Sequence, residues 1–448
     1  SGRFLRKLPG AATRLLRQHL DLERSVTRME MRVQDAVRRL GRADLEARSQ
    51  AALAEELTRV DELLDSIGDS MLTCAATSLA TFLALKLLIE RWMPGHPSGL
   101  ERELLAGAAD LESAKPGIAL WHLAEEIKGD ASSARLLLDS EPSDLAPSTF
   151  PAGSQVRRDL EAFIAAHGYR TVREAELMTP RWSEDPTLIF ATLREYVRSG
   201  GPPPGREIEE RIAARHAAWD KVDSSLDPVR RSVLRHSAEA ARRYARLRER
   251  LRARVTQVLG MYRVLALEVG RRLGDRDAAF FLTIDELYEY LADRLAGTGQ
   301  LLASRRRQFD ADLAMPDPPA TFVGRPPEAH SAGAERGEGA ELRGLAASPG
   351  VGTGVARVLT DPGEAGELRA GDVLVVACAD VGWSPLFLLA GAVVTARGGV
   401  LSHASVVARE YGVPMVVDIH EATRAIQTGQ LVTVDGDSGR VFIRSEQT

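Results

Sequence analysis

Length, composition and charge place this chain among ordinary globular proteins with room for two or three domains. Its 448 residues are 44% hydrophobic and 27% charged, and its formal net charge at pH 7 is −5. That charge balance gives no electrostatic case for binding nucleic acid, so we expect no nucleic-acid partner.

The two cysteines, Cys74 and Cys378, lie far apart in the sequence and in unlike surroundings. Neither has the spacing of a disulfide framework or of a structural zinc site. We therefore expect a protein of the reducing cytoplasm that holds no metal.

The first part of the chain predicts long helices. Over residues 11–92 leucines recur at helical spacing and strand signals are scarce. Further helices are expected near 99–108 and 116–127, a loop over 141–153, and arginine-rich helices over 206–273. The last of these helices is expected to end near residue 314. We predict one large all-α domain over residues 1–315.

The run from Met71 to Ile89 is the one stretch that approaches a membrane span in length and apolarity. It carries three threonines, a serine and Lys86, which make it too polar for a good spanning segment. We expect a buried core helix here and no membrane partner.

An irregular loop is predicted between a helix that ends at Gly168 and another that begins near residue 187. The loop and its borders are dense in histidine, arginine, glutamate and tryptophan, including His167, Arg170, Glu174 and Glu176. A functional site would explain this density, and so would an ion-pair network that staples helices together. The residues alone leave both interpretations open.

Arg248 and Arg252 are four residues apart in a predicted helix and therefore share one face of it. Two guanidiniums on one face suit a phosphate, because each can grip it with a planar fork. The alternative is an ordinary solvated helix surface on which Glu249 neutralises a neighbour.

A small α/β domain is predicted at the C-terminal end, over residues 341–448. It follows a stretch, 316–340, that is rich first in proline and then in glycine, which predicts a linker. Two helices are expected near 384–390 and 403–411. Short strands are expected over 355–358, 373–376, 393–395, 415–417, 431–434 and 440–443.

The densest motif of the sequence surrounds His403. A strand-like run leads into Gly398 and Gly399, and Ser402 is predicted to cap a helix that starts at His403. Free backbone N–H groups at such a helix start favour an anion, and paired glycines let a phosphate approach the backbone. The imidazole could then take up a phosphoryl group and pass it on. The alternative is a helix-cap histidine that only satisfies local hydrogen bonds.

This motif resembles the phosphohistidine signature of phosphoenolpyruvate synthase, pyruvate phosphate dikinase and rifampin phosphotransferase. The family pattern is two glycines, two residues, Ser-His-Ala, a small residue, two aliphatics, Ala-Arg-Glu, and then Gly and Pro. This chain follows it, with Ser405 at the small position where alanine is usual. The resemblance implies that His403 carries the phosphoryl group and that Gly398, Gly399 and Ser402 surround the phosphate.

The resemblance extends over essentially the whole chain. The loop after Gly168 is similar to the helical acceptor domain of the rifampin phosphotransferase group, with Glu176 where aspartate is usual. It implies an acceptor-binding domain over 1–315 and a swivelling phosphohistidine domain over 341–448 that moves on the 316–340 linker. It further implies that Arg248 and Arg252 face the transferred phosphate. The residues implied to position the acceptor, or to take its hydroxyl proton, are His167, Arg170, Glu174 and Glu176.

Relatives of this kind normally begin with an ATP-grasp domain, and neither that domain nor a Walker-type motif is recognisable here. ATP and Mg²⁺ are therefore expected on a separate ATP-grasp domain or subunit, with neither bound by this chain. Only 45 residues follow His403, too few for the barrel of pyruvate-using relatives, so the helical part or another chain must bind the acceptor. Whether the chain is a fragment or a split subunit stays open.

The reaction that the resemblance implies has two steps. ATP gives its β-phosphate to His403, and His403 hands it to a hydroxyl of a small organic molecule such as an antibiotic or a polyketide. One alternative is a dehydratase, in which phosphate becomes the leaving group of an elimination. The other is a carrier or binding protein without catalytic activity.

Overall fold

A computed structural model describes residues 8–96, 99–105, 112–199, 204–315, 324, 341–360, 362–400 and 402–444. The chain divides into two compact units. The first comprises Ser1–Leu105 and Ala217–Thr298, and the second comprises Ala106–His216 and Gly299–Thr448. Apart from Gly324, the predicted 316–340 linker lies outside the described residues.

The predicted fold class is confirmed, since a large helical region precedes a mixed sheet domain. Two of the helices exceed forty residues. The helices of this region are α1 (Leu8–Gly41), α2 (Gln50–Trp92), α3 (Leu100–Leu105), α4 (Lys115–Gly129), α5 (Ala131–Asp139), α6 (Gln155–His167), α7 (Thr187–Ser199), α8 (Pro204–Ser225), α9 (Pro228–Arg272), α10 (Ile284–Leu291) and α11 (Thr298–Leu313).

The long helices α2 and α9 form the core of the first unit. Leu57 and Ile67 of α2 lie in one buried cluster with Leu251 and Val258 of α9. Each helix begins at a capping side chain: the Ser49 hydroxyl accepts from a backbone N–H of α2, and Asp227 does the same for α9. Leu247 and Leu251 of α9 are buried in the same cluster, so the stretch that carries Arg248 and Arg252 is packed against its neighbours on one side.

The apolar run from Met71 to Ile89 lies in α2, as expected of a helix, but the expectation that it is buried was wrong. Its inner face, with Cys74 and Leu85, is buried, whereas Leu72, Leu79, Leu83 and Leu87 are exposed. Among the described residues, α2 is the one helix long and apolar enough to cross a membrane by length and composition, and 22% of its apolar stretch is buried. The 3.6-residue period puts the two sets of side chains on opposite faces.

The C-terminal sheet has eight strands in the order β1-β8-β7-β3-β4-β5-β6-β2. Strands β3 to β6 are parallel neighbours, and the remaining pairs are antiparallel. The strands are β1 (Glu341–Arg343), β2 (Leu345–Ser348), β3 (Val351–Leu359), β4 (Val373–Cys378), β5 (Ala392–Arg397), β6 (Met415–Val417), β7 (Leu431–Asp435) and β8 (Arg440–Ile443).

All six predicted strands are present, and the two edge strands β1 and β2 are additional. The helices of this domain are α12 (Ser384–Phe387), α13 (His403–Tyr411) and α14 (Ala422–Ala425). The first is shorter than the predicted 384–390, because Leu388 already caps it. The carboxyl ends of β4 and β5 share one edge of the sheet, and the segment that leads to His403 leaves from that edge.

Candidate functional site

His403 is the first residue of α13 and directly follows its cap. The Ser402 hydroxyl accepts a hydrogen bond from the Ser405 N–H at 3.3 Å, and Gly412 ends the helix in the left-handed region at φ 76°. The predicted Ser402 cap and the expected extent of the helix, residues 403–411, are both confirmed. The His403 side chain is half-buried, so one side of the imidazole can be reached from solvent.

The two glycines before the cap serve different purposes. Gly398 has φ 151°, which L side chains rarely adopt, and a Cβ there would lie 3.3 Å from the Thr395 hydroxyl. At Gly399 a Cβ would meet nothing within 4 Å, so the space beside its backbone is open. Gly398 therefore makes the turn out of β5, and Gly399 leaves the backbone accessible to an anion.

Two side chains of α13 hold the loop between β5 and α13 in place. The motif alone does not explain this role. Ser405, which replaces the usual alanine, is buried and donates to the Gly399 carbonyl at 2.8 Å. The Arg409 guanidinium donates to the carbonyls of Val400 at 2.8 Å and Ala347 at 2.7 Å. Both contacts tie the loop to the helix and reduce the conformational freedom of the backbone around His403.

Arg248 and Arg252 lie on α9 in the first compact unit, whereas His403 belongs to the second. The Arg248 guanidinium is 3.4 Å from a carboxylate oxygen of Glu249, and their side chains are 18% and 2% exposed. Burial raises the pKa of Cys74, on the facing helix α2, to about 11, and the positive charge of Arg248 opposes that rise. Arg248 and Arg252 are therefore partly buried and do not lie on a fully solvated helix surface. Glu249 does contact Arg248, as expected if Glu249 neutralises a neighbouring charge.

Arg170 and Glu174 form a buried ion pair in the loop between α6 and α7. The guanidinium and the carboxylate are 2.9 Å apart, and their side chains are 2% and 3% exposed. Arg170 also donates to the Glu112 carbonyl at 3.0 Å, and Arg181 donates to the Glu174 carbonyl at 3.1 Å. This is the geometry of a network that staples the fold. A substrate-binding role for the two residues stays a prediction.

Replacing Glu174 with glutamine is expected to lower the free energy of unfolding by about 3–5 kcal/mol, because it leaves the Arg170 charge buried without its counter-ion. Urea unfolding followed by circular dichroism measures this. Glu176→Gln is the matched control, since Glu176 is exposed and its carboxylate accepts a hydrogen bond from the Met178 N–H of its own loop. Its cost should stay under about 1 kcal/mol. Equal and small losses of unfolding free energy in the two variants would contradict a stabilising role of the Arg170–Glu174 ion pair.

The other two predicted acceptor residues lie beside different cavities. His167 borders a groove of about 370 Å³ with His122, Glu126 and Asp159. Glu176 borders a cavity of about 570 Å³ whose walls include Trp182. Neither of these two cavities is lined by Arg170 or Glu174, and a shared role of the four residues in binding an acceptor stays a prediction. Among the described residues, no group of three histidine, cysteine or acidic side chains is placed to hold a metal.

His167 is held neutral at physiological pH. Burial, and next the positive charge of Arg170, lower the pKa of His167 to about 4. Between pH 6.5 and 4 the unfolded chain binds a proton at His167 and the folded chain does not. The free energy of unfolding should therefore fall as pH falls through this window, by at most about 1.4 kcal/mol per pH unit.

The measurement for His167 is urea unfolding at pH 7.5, 5.5 and 4.5. His167→Gln should flatten the dependence over this range, because glutamine does not titrate. His420→Gln, which changes an exposed histidine of the sheet domain, should keep the wild-type slope. An unchanged slope in His167→Gln would show that the imidazole is protonated in the fold.

Comparisons with known proteins match both parts of the chain. Residues 69–249 match the rifampicin phosphotransferase fourth domain, and residues 368–439 match the PEP-utilising enzyme mobile domain. The second match contains His403 and its glycines. The first stretch is therefore similar to a helical domain of rifampicin phosphotransferases, and the second is similar to the mobile domain of PEP-utilising enzymes.

Three curated relatives illustrate the similarity. Prodigiosin synthesizing transferase PigC of Serratia marcescens is 30% identical over 92% of this chain and 48% of its own length. Rifampicin phosphotransferase of Streptomyces sviceus is 28% identical over 80% of this chain and 42% of its own length. Uncharacterized phosphotransferase YvkC of Bacillus subtilis is 27% identical over 77% of this chain and 43% of its own length. The chain spans about half the length of the curated relatives it matches. The chain is similar to the rifampicin phosphotransferases over most of its length, and the resemblance inferred from the motifs is confirmed.

Proposed function

We propose that this chain is the acceptor-binding and phosphohistidine part of a phosphotransferase. An imidazole nitrogen of His403 attacks the β-phosphorus of ATP, and the bond from that phosphorus to AMP breaks. Water then cleaves the bond between the β- and γ-phosphates, which releases phosphate and leaves one phosphoryl group on His403. The acceptor hydroxyl then attacks the same phosphorus, the N–P bond breaks, and the hydroxyl proton leaves to a base or to water. ATP and Mg²⁺ are held by an ATP-grasp domain or subunit, and the reaction takes place in the cytoplasm.

The observation that carries this proposal is the placement of His403 in the region matched to the PEP-utilising mobile domain. Its imidazole stands at the start of α13, beside backbone N–H groups that the helix does not use. The open side of Gly399 admits phosphoryl oxygens to those groups. A negative charge there is further favoured by the positive end of the helix dipole.

The helical part supplies the acceptor side of the proposal. Arg248 and Arg252 lie on one face of α9, partly shielded from water, where guanidiniums neutralise phosphoryl oxygens more strongly than at a solvated surface. The names of the relatives support a small-molecule acceptor, since one is a transferase of prodigiosin synthesis and others act on rifampicin. We propose a hydroxyl of a comparable small organic molecule, such as an antibiotic or a polyketide.

The test is incubation of the chain with an ATP-grasp partner, Mg²⁺, ATP labelled in the β-phosphate and a panel of alcohol natural products. Label on the product together with AMP supports the proposal. Free labelled phosphate with a dehydrated product would instead support an elimination. If His403 carries no label under any condition, the result would favour the alternative of a carrier or binding protein without catalytic activity.

A further inference from the structure

The cavity of about 570 Å³ is bordered by the loop that joins α6 to α7 and by helix α11. Cavities of roughly 300–1,000 Å³ are the usual size of sites that bind small molecules. Its apolar walls come from Val172 and Trp182 of the loop, Leu188 of α7, and Phe309 and Leu313 of α11. All of these residues belong to the second compact unit, so the cavity is built within one unit.

Helix α11 leaves apolar side chains uncovered at this cavity. Phe309 and Leu313 border it, yet they are 39% and 69% exposed, and no residue of α11 is buried. A helix of this length gains most of its stability by burying an apolar face against other elements. A ligand with an apolar body would cover both side chains and would connect α11 to the loop.

The buried indole of Trp182 shows which polar group such a ligand would present. Trp182 is 2% exposed, its ring stacks on Phe163 with the centroids 6.3 Å apart, and its backbone N–H donates to the Arg170 carbonyl at 2.9 Å. The indole N–H is buried and makes no hydrogen bond to any residue that the structure describes. An indole nitrogen can only donate, and a buried donor without an acceptor costs free energy. Because Trp182 borders the cavity, an oxygen of a ligand would supply the missing acceptor.

The charges at the cavity decide the charge of the ligand. Of the described residues that border it, Glu176 and Asp185 are acidic and Arg173 is basic. Both carboxylates already accept hydrogen bonds within the loop region, Glu176 from the Met178 N–H at 2.9 Å and Asp185 from the Thr187 hydroxyl at 2.6 Å. Two carboxylates against one guanidinium disfavour an anion, and their hydrogen bonds leave them less available to a cation. An uncharged ligand fits best.

We propose that this cavity binds an uncharged small molecule with a flat apolar body and a carbonyl oxygen. The carbonyl accepts from the Trp182 indole N–H, and the apolar body lies against Leu188, Phe309 and Leu313. Aromatic walls favour a flat body, because rings stack on one another. Neither Arg248 nor Arg252 borders the cavity. The site is therefore additional to the one that the proposed function gives those arginines, and the inference does not rest on that function.

The first experiment measures binding of prodan to the full chain without ATP. Prodan is an uncharged dimethylaminonaphthalene with a propionyl ketone, and its emission shifts to shorter wavelength in apolar surroundings. The wild type should bind it saturably, and Thr179→Phe, which places a ring at the cavity wall, should abolish saturable binding. Ala166→Phe is the matched control, because it places the same ring in the groove of about 370 Å³ and should bind like the wild type.

Urea unfolding curves of both phenylalanine variants verify that they are folded. Absence of saturable binding to the wild type would overturn the proposal. So would equal binding to the wild type and to folded Thr179→Phe, because the probe would then occupy another surface, such as the exposed leucines of α2.

The second experiment tests the hydrogen bond. Trp182→Phe keeps an aromatic ring and removes the indole N–H, so prodan should bind this variant about fivefold more weakly, as for the loss of one neutral hydrogen bond. Dimethylaminonaphthalene without the ketone should bind the variant and the wild type within about twofold of each other, because it has no carbonyl to lose. Equal weakening of both probes would overturn the assigned contact and leave Trp182 a wall residue.

The third experiment tests the charge of the ligand. The dimethylaminonaphthoate has the same rings as prodan and a carboxylate in place of the ketone. It should bind the wild type more weakly than prodan does, and Glu176→Gln should narrow the difference, because one of the two repelling carboxylates is gone. Binding of the naphthoate as tight as that of prodan, or tighter, would overturn the assignment of an uncharged ligand.

Discussion

His403→Ala should accept no phosphoryl group from the ATP-grasp partner, while its fold and stability stay close to those of the wild type. The imidazole is the only group at the start of α13 that the proposed reaction uses as a nucleophile. The helix itself depends on the burial of Ala404, Val407 and Ala408 and on the Ser402 cap, none of which the substitution touches. The measurement is acid-labile phosphate on the protein after incubation with labelled ATP, together with a urea unfolding curve.

His420→Ala is the matched control for this prediction. His420 is an exposed histidine of the same domain, beside Asp418, and it should leave the labelling at the wild-type level. Equal labelling of His403→Ala and the wild type would remove His403 from the mechanism and move the search to another histidine of the chain. Loss of label together with loss of the unfolding transition would mean that the substitution damaged the fold.

The elements that local sequence determines were the easiest to predict. The helix start at His403 follows from Ser402 and its end from Gly412, and both features act within a few residues. The same holds for the helix end at Gly168 and for the central strands, whose apolar runs are uninterrupted. Strands β1 and β2 were missed, because three or four residues at a sheet edge carry little periodic signal of their own.

Properties that depend on distant residues could not be read from local pattern. The apolar run in α2 predicts a helix correctly, but which of its faces is covered depends on α9, where Tyr244 contacts Cys74 from 170 residues further along the chain. The loop after Gly168 announces a charged cluster, but only the fold shows that Arg170 pairs with Glu174 and that Asp380 joins them. Ser405 was visible as a departure from the family pattern, and its bond to Gly399 gives that departure a structural reason.

The loss of either arginine of the α9 pair should slow phosphoryl transfer from His403 to the acceptor by an amount on the order of 2–4 kcal/mol in activation free energy, comparable to the loss of an oxyanion donor. Labelling of His403 should survive in Arg248→Ala and Arg252→Ala, because the donor half-reaction uses a different partner. Arg→Lys should also slow transfer, since an ammonium group cannot reproduce the planar fork. Single-turnover transfer from the labelled protein to the acceptor measures the step directly.

The contact between Arg248 and Glu249 supports a competing explanation, in which Arg248 has a structural role and does not contact the phosphoryl group. If Glu249 only neutralises a partly buried guanidinium, Arg248→Ala should change the free energy of unfolding and leave the transfer rate of the folded molecules unaltered. Arg230→Ala separates general effects of charge from specific ones. Arg230 lies at the start of the same helix in an exposed pair with Asp227, which is worth well under about 1 kcal/mol and should affect neither half-reaction. A transfer rate that falls in both pair variants but not in Arg230→Ala would assign the two guanidiniums to the phosphoryl group, because a structural role would not spare the first half-reaction and slow the second.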